Sequence, residues 1–162
     1  MLGIDPGLVA TGYAVIEVTP AGFAALDTGV VETRSGLLLA ERLRQIYEGI
    51  ETLIDKHAPA ALVLEDLYAE YRFPRTALLM AHARGVVCLA AGQRDVAVLT
   101  LAPAEIKRAV TGYGAAAKEQ IQRAVQRLLS LEALPSSSHV ADALALAFTG
   151  ASRLKLGAGL RR

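Results

Sequence analysis

Residues 1–16 read MLGIDPGLVATGYAVI, and this stretch places a carboxylate at the end of an apolar segment. Leu2-Gly3-Ile4 has the apolar character of a short buried strand, and Asp5 closes it. Pro6-Gly7 then supplies turn residues, and a second apolar run follows from Thr11. An Asx-type turn would explain Asp5 by itself, whereas a functional role requires other acids that converge on the same point.

The pattern downstream predicts an α/β fold. Pro20-Ala21-Gly22 separates two strands at 11–19 and 23–33, as in an antiparallel hairpin. Later segments predict helices at 37–57, 74–93, 102–110, from 117 and at 139–154, and strands at 60–64 and 96–101. We therefore expect a mixed five-stranded sheet flanked by helices, in one domain over 1–154, followed by a basic, mobile tail at 155–162.

The composition limits the class of protein. At 162 residues and 53% hydrophobic, the chain has a large core, a buried oligomer interface or both. No apolar run approaches the roughly 20 residues that a membrane-spanning helix requires, and no secretory signal is readable. The single cysteine, Cys88, cannot form an internal disulfide and is expected to be a small core residue. These features predict a cytoplasmic protein without a membrane partner.

Charge is divided unevenly along the chain. Residues 1–70 contain 4 Lys/Arg and 11 Asp/Glu, whereas residues 71–127 contain 9 Lys/Arg and 3 Asp/Glu. A basic central segment beside an acidic first part is what an anionic substrate near a cation-binding pocket requires. A mixed surface with chance segregation is the alternative, and charge alone does not name the substrate.

Ionisable side chains also stand at the ends of two other apolar elements. Glu65 follows an apolar strand, and His139 and Asp142 lie three residues apart at the start of the last helix, on one face. If the first and fourth strands are parallel neighbours, Asp5 and Glu65 lie side by side at one edge of the sheet. The last helix can then cross that edge. Taken one at a time, Glu65 and Asp142 also have purely structural explanations, as a strand-end Glu and a helix-capping Asp.

Three carboxylates and an imidazole at one place would be costly to desolvate without a cation, and the carboxylates would repel each other. Two divalent ions held about 3.5–4 Å apart by such ligands can activate water and stabilise the leaving oxygen of a phosphodiester. Gly3, Gly7 and Gly12 carry no side chains, so we expect them to leave room for the approach of a phosphate backbone. The acids together favour a metal-dependent reaction on a phosphodiester.

The order of these motifs resembles that of the RuvC family of Holliday-junction resolvases. The matching residues span nearly the whole chain: Gly3-Ile4-Asp5-Pro6-Gly7, Thr11-Gly12-Tyr13, Glu65, Ala83-Arg84-Gly85, Lys107, Gly112-Tyr113-Gly114, Lys118 and Ala141-Asp142-Ala143-Leu144-Ala145. The resemblance implies a ribonuclease-H-like fold and a homodimer that nicks two strands of four-way junction DNA symmetrically, leaving 5′-phosphate and 3′-hydroxyl ends. It also implies RuvA and RuvB as branch-migration partners.

By the same resemblance, the catalytic and metal-binding set is Asp5, Glu65, His139 and Asp142, with two Mg²⁺ or Mn²⁺ ions per subunit. One position departs from the commoner family pattern, which has Asp three residues before the last catalytic Asp. His139 stands there, and the sequence leaves open whether it is a metal ligand or a general base. Because imidazole suits Mn²⁺ better than Mg²⁺, we expect stronger cleavage with Mn²⁺.

Basic and aromatic residues are candidates for contact with the junction. Lys107 and Lys118 match basic positions that the family uses near DNA, and ordinary surface lysines are the alternative. Tyr68 matches a family aromatic where an unpaired base can stack, although it could instead be a packing tyrosine. Arg72 and Arg75 are candidate phosphate contacts. Arg84, Arg108 and Arg123 are further candidates, and Arg84 could instead be structural.

The apolar second helix is the candidate homodimer interface. Its apolar residues are Leu78, Leu79, Met80, Val86 and Val87. A two-fold dimer would set two active sites against two strands related by the symmetry of the junction.

Two other functional classes compete with the nuclease. An ATPase of the sugar-kinase and actin type also begins with Gly-Ile-Asp-x-Gly after a strand, but that class needs two such domains. A non-catalytic junction-binding module would keep the fold without needing Asp5, Glu65 and Asp142 together. The joint presence of these acids favours an enzyme.

Overall fold

The computed structural model describes residues 1–66 and 74–159. The strands are β1 Leu2–Asp5, β2 Ala10–Thr19, β3 Gly22–Glu32, β4 Leu62–Glu65 and β5 Val98–Leu101. The helices are α1 Leu39–His57, α2 Pro74–Gly92, α3 Pro103–Thr111, α4 Lys118–Leu128 and α5 Ser138–Gly159. In the described part of the chain, no helix combines the length and apolar character needed to cross a membrane.

The sheet has the strand order β3-β2-β1-β4-β5. Strands β1, β2 and β3 form an antiparallel meander, and β1, β4 and β5 are parallel. The hairpin predicted at 20–22 is confirmed, since Thr19 pairs with Gly22 across a two-residue turn. Gly22 has a φ of +142°, a backbone conformation that favours glycine. The predicted mixed five-stranded sheet is therefore correct.

Side chains on the two faces of the sheet belong to two separate cores. Leu62 and Leu64 of β4 pack with Ile46 and Ile50 of α1, whereas Val63 packs with the residues of α3, α4 and α5. This alternation follows from the two-residue period of a strand. The continuous apolar run of β4 is explained because helices cover both of its faces.

Helix α5 lies directly on the backbone of β1 and β2. A Cβ atom added to Gly3 would be 2.2 Å from the carbonyl oxygen of Ala143, and one added to Gly12 would be 2.2 Å from that of His139. The space beside Gly7 is also occupied, since a Cβ atom there would be 2.4 Å from the Ala10 carbonyl oxygen. The expectation that these glycines leave room for a phosphate backbone is wrong. Gly3 and Gly12 instead allow α5 to approach the sheet.

Most helices and strands begin and end within a few residues of their predicted bounds. The largest difference is at the end of α5. This helix continues to Gly159, beyond the predicted end at Leu154. Cys88 on α2 is half-buried against the core on the α1 side of the sheet, near its expected environment.

Candidate active site

Two carboxylates lie at one edge of the sheet because two parallel strands end there. Asp5 is the last residue of β1 and Glu65 is the last residue of β4. The parallel register pairs Ile4 with Leu64, so the two acids follow directly from neighbouring positions. The first and fourth strands are thus parallel neighbours, which is the condition on which the meeting of the two acids depended. Both acids therefore project from one rim of the fold.

The start of α5 brings the other two candidates to this rim. The Ser137 hydroxyl accepts a hydrogen bond from the Val140 amide at 3.2 Å, which satisfies a donor in the first turn. The close contact between Gly12 and the His139 carbonyl fixes this end of the helix against β2. His139 and Asp142 are three residues apart on the helix, so both side chains face the same way.

His139 contacts Asp5 directly. Its Nδ1 atom lies 2.6 Å from Asp5 Oδ2, and the side chains are 43% and 19% exposed, respectively. This contact joins residues 134 positions apart in the sequence. If Nδ1 donates a hydrogen bond to the carboxylate, Nε2 is the ring nitrogen that is left to bind a metal ion or to accept a proton. The pair is compatible with either role that the sequence left open.

A cavity of about 370 Å³ joins the four side chains to two lysines. Lys107 comes from α3 and Lys118 is the first residue of α4. The lining residues are Asp5, Glu65, Met80, Pro103, Ile106, Lys107, Ala116, Lys118, Ile121, Ser138, His139, Asp142, Ala145 and Leu146. The cavity thus combines a concentrated negative charge with cationic groups and an apolar wall.

Burial and mutual repulsion raise the pKa values of two of the acids. The pKa of Glu65 is raised chiefly by burial and then by the charges of Asp142 and Asp5. Burial, followed by repulsion from Asp5, raises the pKa of Asp142 to about 6. Lys107 and Lys118 oppose both shifts without removing them. The protein's own cations therefore do not fully offset the free-energy cost of ionising Glu65 and Asp142.

The donor set fits hard divalent cations. Carboxylate oxygens are the preferred ligands of Mg²⁺ and Ca²⁺, and an added imidazole suits Mn²⁺. A cation would also relieve the repulsion that raises the pKa values of Glu65 and Asp142. Within residues 1–66 and 74–159, however, no three His, Cys, Asp or Glu side chains are already arranged around one metal position. Asp5 contacts His139 instead, so the acids would have to reorient to share an ion.

The structure assigns different positions to the predicted DNA-binding residues. Lys107 and Lys118 line the cavity beside the acids, and Arg75 is exposed in the first turn of α2. Tyr68 and Arg72 lie outside the described residues. Arg84 donates to the Glu65 carbonyl, which supports the structural role that the sequence had left as an alternative for it.

Hydrogen bonds that sequence reasoning missed brace the turn after Asp5. Thr33 Oγ1 donates to the Leu8 carbonyl at 2.7 Å, and Arg42 donates to both Thr33 Oγ1 at 2.8 Å and the Leu8 carbonyl at 3.0 Å. The buried Thr11 hydroxyl donates to the Gly7 carbonyl at 2.8 Å. Only the Thr11 contact is local enough for a sequence signal, since small hydroxyl residues often close turns.

Comparison with known proteins gives one consistent family. Residues 1–150 match the family model described as crossover junction endodeoxyribonuclease RuvC. The protein of that name from Rhodopirellula baltica is 45% identical over 150 residues, covering 93% of this chain and 84% of the relative. The one from Heliobacterium modesticaldum is 40% identical over 161 residues, covering 99% of both chains.

Solved structures give the same result. The structure of Thermus thermophilus RuvC in complex with a Holliday junction substrate superimposes with a TM-score of 0.89 at 33% identity, over 96% of this chain and 94% of the other. The yeast mitochondrial resolvase Ydc2 superimposes with a TM-score of 0.66 at 15% identity, covering 96% of this chain and 80% of the other, which shows a shared fold alone. The expected ribonuclease-H-like fold is confirmed.

Proposed function

This chain belongs to the RuvC family of crossover junction endodeoxyribonucleases, and we propose that it resolves Holliday junctions at the rim that carries Asp5, Glu65, His139 and Asp142. The observation that supports the site is the cavity in which three acids from β1, β4 and α5 meet Lys107 and Lys118. Family membership makes the chain a nuclease. The assignment of these four residues as its catalytic set is our proposal.

Two divalent ions, Mg²⁺ or Mn²⁺, are the cofactors that we propose, with the three carboxylates and His139 as their ligands. When bound, such ions lower the pKa of water and stabilise charge on the attacking and leaving oxygens of a phosphodiester. The donor set of the cavity supports this assignment, and so do the raised pKa values of Glu65 and Asp142. Each subunit would nick one of two opposed strands and leave a 5′-phosphate.

The chain's own residues have three tasks in this reaction. Lys107 and Lys118 attract the anionic backbone and offset its charge beside the acids. The wall formed by α3 and α4 positions the strand over the cavity, and its apolar residues exclude water from part of it. Before ions bind, Asp5 holds the ring of His139 at the rim through the contact at 2.6 Å, and both side chains would then turn toward the ions that we propose.

We predict that His139→Ala lowers cleavage of a four-way junction about 10- to 100-fold, the usual cost of losing a residue that supports a metal site. Because imidazole suits Mn²⁺ better than Mg²⁺, the wild-type protein should cut faster with Mn²⁺, and the variant should lose most of that difference. Single-turnover cleavage in each metal measures both effects. Unchanged cleavage in both metals would refute the role assigned to His139.

We also propose that the exposed face of α2 joins two copies of the chain. Val87 is fully buried in the chain's own core and Met80 lines the cavity, so these two residues of the expected interface are not available. Leu78 and Leu89 are 63% and 54% exposed and lie 11 residues apart, or about three turns, on one side of the helix. Two exposed leucines on one side of α2 support a homodimer.

Replacing Leu78 and Leu89 together by Asp should convert a dimer into a monomer, because four charges would be buried per interface. Sedimentation velocity at micromolar protein measures the change. Paired nicking should fall with it, since two subunits are needed to cut two strands. Leu26→Asp is the control, as Leu26 is 55% exposed on the edge strand β3. A double variant that stays dimeric would show that this face does not pair.

We also propose that three further residues contact the junction. Tyr68 would stack on an unpaired base, and Arg72 and Arg75 would contact phosphates. Association with RuvA and RuvB and the cytoplasmic location stay predictions of the family resemblance and of the sequence.

The function is tested by incubating the protein with fixed and branch-migrating four-way junctions, and with linear duplex, in Mg²⁺ or Mn²⁺. We expect paired nicks in opposed strands of the junction and little cutting of the duplex. Junction binding without nicks in either metal would identify a non-catalytic module. ATP turnover without nicks would favour the kinase-type alternative.

A further inference from the structure

We infer that Arg84 is a positioning residue for the proposed reaction: its guanidinium ties helix α2 to the main chain from which Glu65 projects. This inference rests on the proposed function of Glu65. The side chain of Arg84 donates from Nη1 to the Glu65 carbonyl at 2.7 Å and from Nη2 to Thr100 Oγ1 at 3.1 Å. One side chain of α2 therefore contacts both parallel strands β4 and β5 at the rim.

The Glu65 carbonyl lies where regular strand pairing ends. The pairing of β1 with β4 runs from Leu2–Leu62 to Ile4–Leu64, one residue short of Glu65. On the other side, the Asp66 amide donates to the Leu101 carbonyl at 2.8 Å. A terminal residue with incomplete pairing is prone to local opening. A charged donor to its carbonyl is stronger than a neutral one and opposes that opening.

The surroundings of Glu65 favour such a restraint. Its carboxylate lies near the carboxylates of Asp142 and Asp5, which repel it while no ions are bound. Arg84 binds the carbonyl rather than the carboxylate, and it therefore holds the main chain in place without neutralising the acid. A fixed main chain keeps the carboxylate within reach of the ions that we propose, because displacements near 1 Å can cost about 100-fold in rate.

The packing of the middle of α2 holds the backbone of Arg84 in place. Its neighbour Ala83 and Val87, one turn further along, are both fully buried, so this part of the helix is fixed to the core. The planar guanidinium can bridge a carbonyl and a hydroxyl at once, whereas a lysine ammonium presents one point charge on a flexible chain. Arg84→Lys should therefore keep the charge and lose the bridge.

The alternative is that Arg84 contacts a DNA phosphate, and the two roles predict different measurements. For a positioning residue, Arg84→Lys should lower the single-turnover cleavage rate about 10- to 100-fold at saturating protein. The junction Kd and its salt dependence should change less than twofold. Thr100→Val, which removes only the acceptor for Nη2, should give a smaller loss in the same direction. A phosphate contact would instead weaken binding and reduce the salt slope by about 1 in Arg84→Ala.

Hydrogen exchange of the Asp66 amide provides a readout that does not depend on cleavage. We expect exchange at least about 10-fold faster in Arg84→Lys than in the wild-type protein, because the strand end opens more often. Arg127→Lys, a change of an exposed residue on α4, should alter neither exchange nor cleavage. If the wild-type protein cuts no junction, the proposed function fails, while Asp66 exchange still decides the role of Arg84. Wild-type exchange together with wild-type cleavage in Arg84→Lys would overturn the inference.

Discussion

Junction cleavage should fall at least about 10³-fold when Glu65 is replaced by Gln or Asp142 by Asn. Each change keeps the size of the side chain and removes one of the charges proposed to hold the ions. The ions supply several kcal/mol of transition-state stabilisation, and about 4 kcal/mol corresponds to a factor of about 10³ in rate. Single-turnover cleavage of a labelled junction measures the loss.

Binding of the junction should stay the same or become tighter in these variants, although cleavage falls. Removing a negative charge beside Lys107 and Lys118 makes the cavity more attractive to phosphate, so the Kd for the junction without divalent ions should stay equal or decrease. Glu132→Gln, a change of an exposed acid in the loop before α5, is the control and should cut normally. Full activity of either site variant would remove Glu65 or Asp142 from the proposed catalytic set.

The same charges that serve cleavage should cost stability. The pKa of Asp142 is raised to about 6 in the folded protein, so the folded state binds the proton more tightly than the unfolded chain does. The stabilisation from this proton is complete below the unfolded pKa and is lost as pH rises through about 6. Metal-free Asp142→Asn should therefore melt at a higher temperature than the wild-type protein at pH 7.5, and the difference should shrink at pH 4.

The second large effect is expected for Gly3→Ala and Gly12→Ala. Each added Cβ would lie 2.2 Å from a carbonyl oxygen of α5, and a helix backbone cannot rotate away as a side chain can. Helix α5 would have to move from the sheet and disturb the core that it shares with β2. We expect a loss of about 3 kcal/mol or more in the free energy of unfolding, at the upper end for overpacking. Urea denaturation followed by circular dichroism measures it.

A glycine in an open position provides the matched control. Nothing lies within 4 Å of a Cβ atom added to Gly92 at the end of α2. Gly92→Ala should therefore change stability by no more than about 1 kcal/mol. If Gly3→Ala and Gly12→Ala were as stable as the Gly92 variant, α5 would not depend on close backbone contact.

The sheet and the meeting of the acids could be predicted because both follow from short-range patterns. The hairpin turn at 20–22 fixes the antiparallel meander, and the apolar run before Glu65 requires cover on both faces. Parallel neighbours then bring the ends of β1 and β4 to one edge. Each of these steps uses the identity of a few consecutive residues and the two-residue period of strands.

The role of the glycines could not be predicted, because the same absence of a side chain suits a ligand and a packed helix equally well. Only the path of α5 decides between them at Gly3 and Gly12. The contacts between His139 and Asp5 and between Arg84 and Glu65 join residues 134 and 19 positions apart. Such pairs depend on the completed fold, and a single sequence does not indicate which arginine faces a strand end.

The position of Cys88 has a practical consequence for measuring how the chain assembles. It is the only thiol in the sequence, and it is half-buried on the helix that carries the exposed Leu89. A nitroxide spin label can be directed to Cys88 without removing any other cysteine by mutation. In a symmetric pair of subunits, the two labels would report a single interspin distance. Pulsed electron paramagnetic resonance on the native sequence would thus show whether the arrangement of the subunits changes when DNA is added.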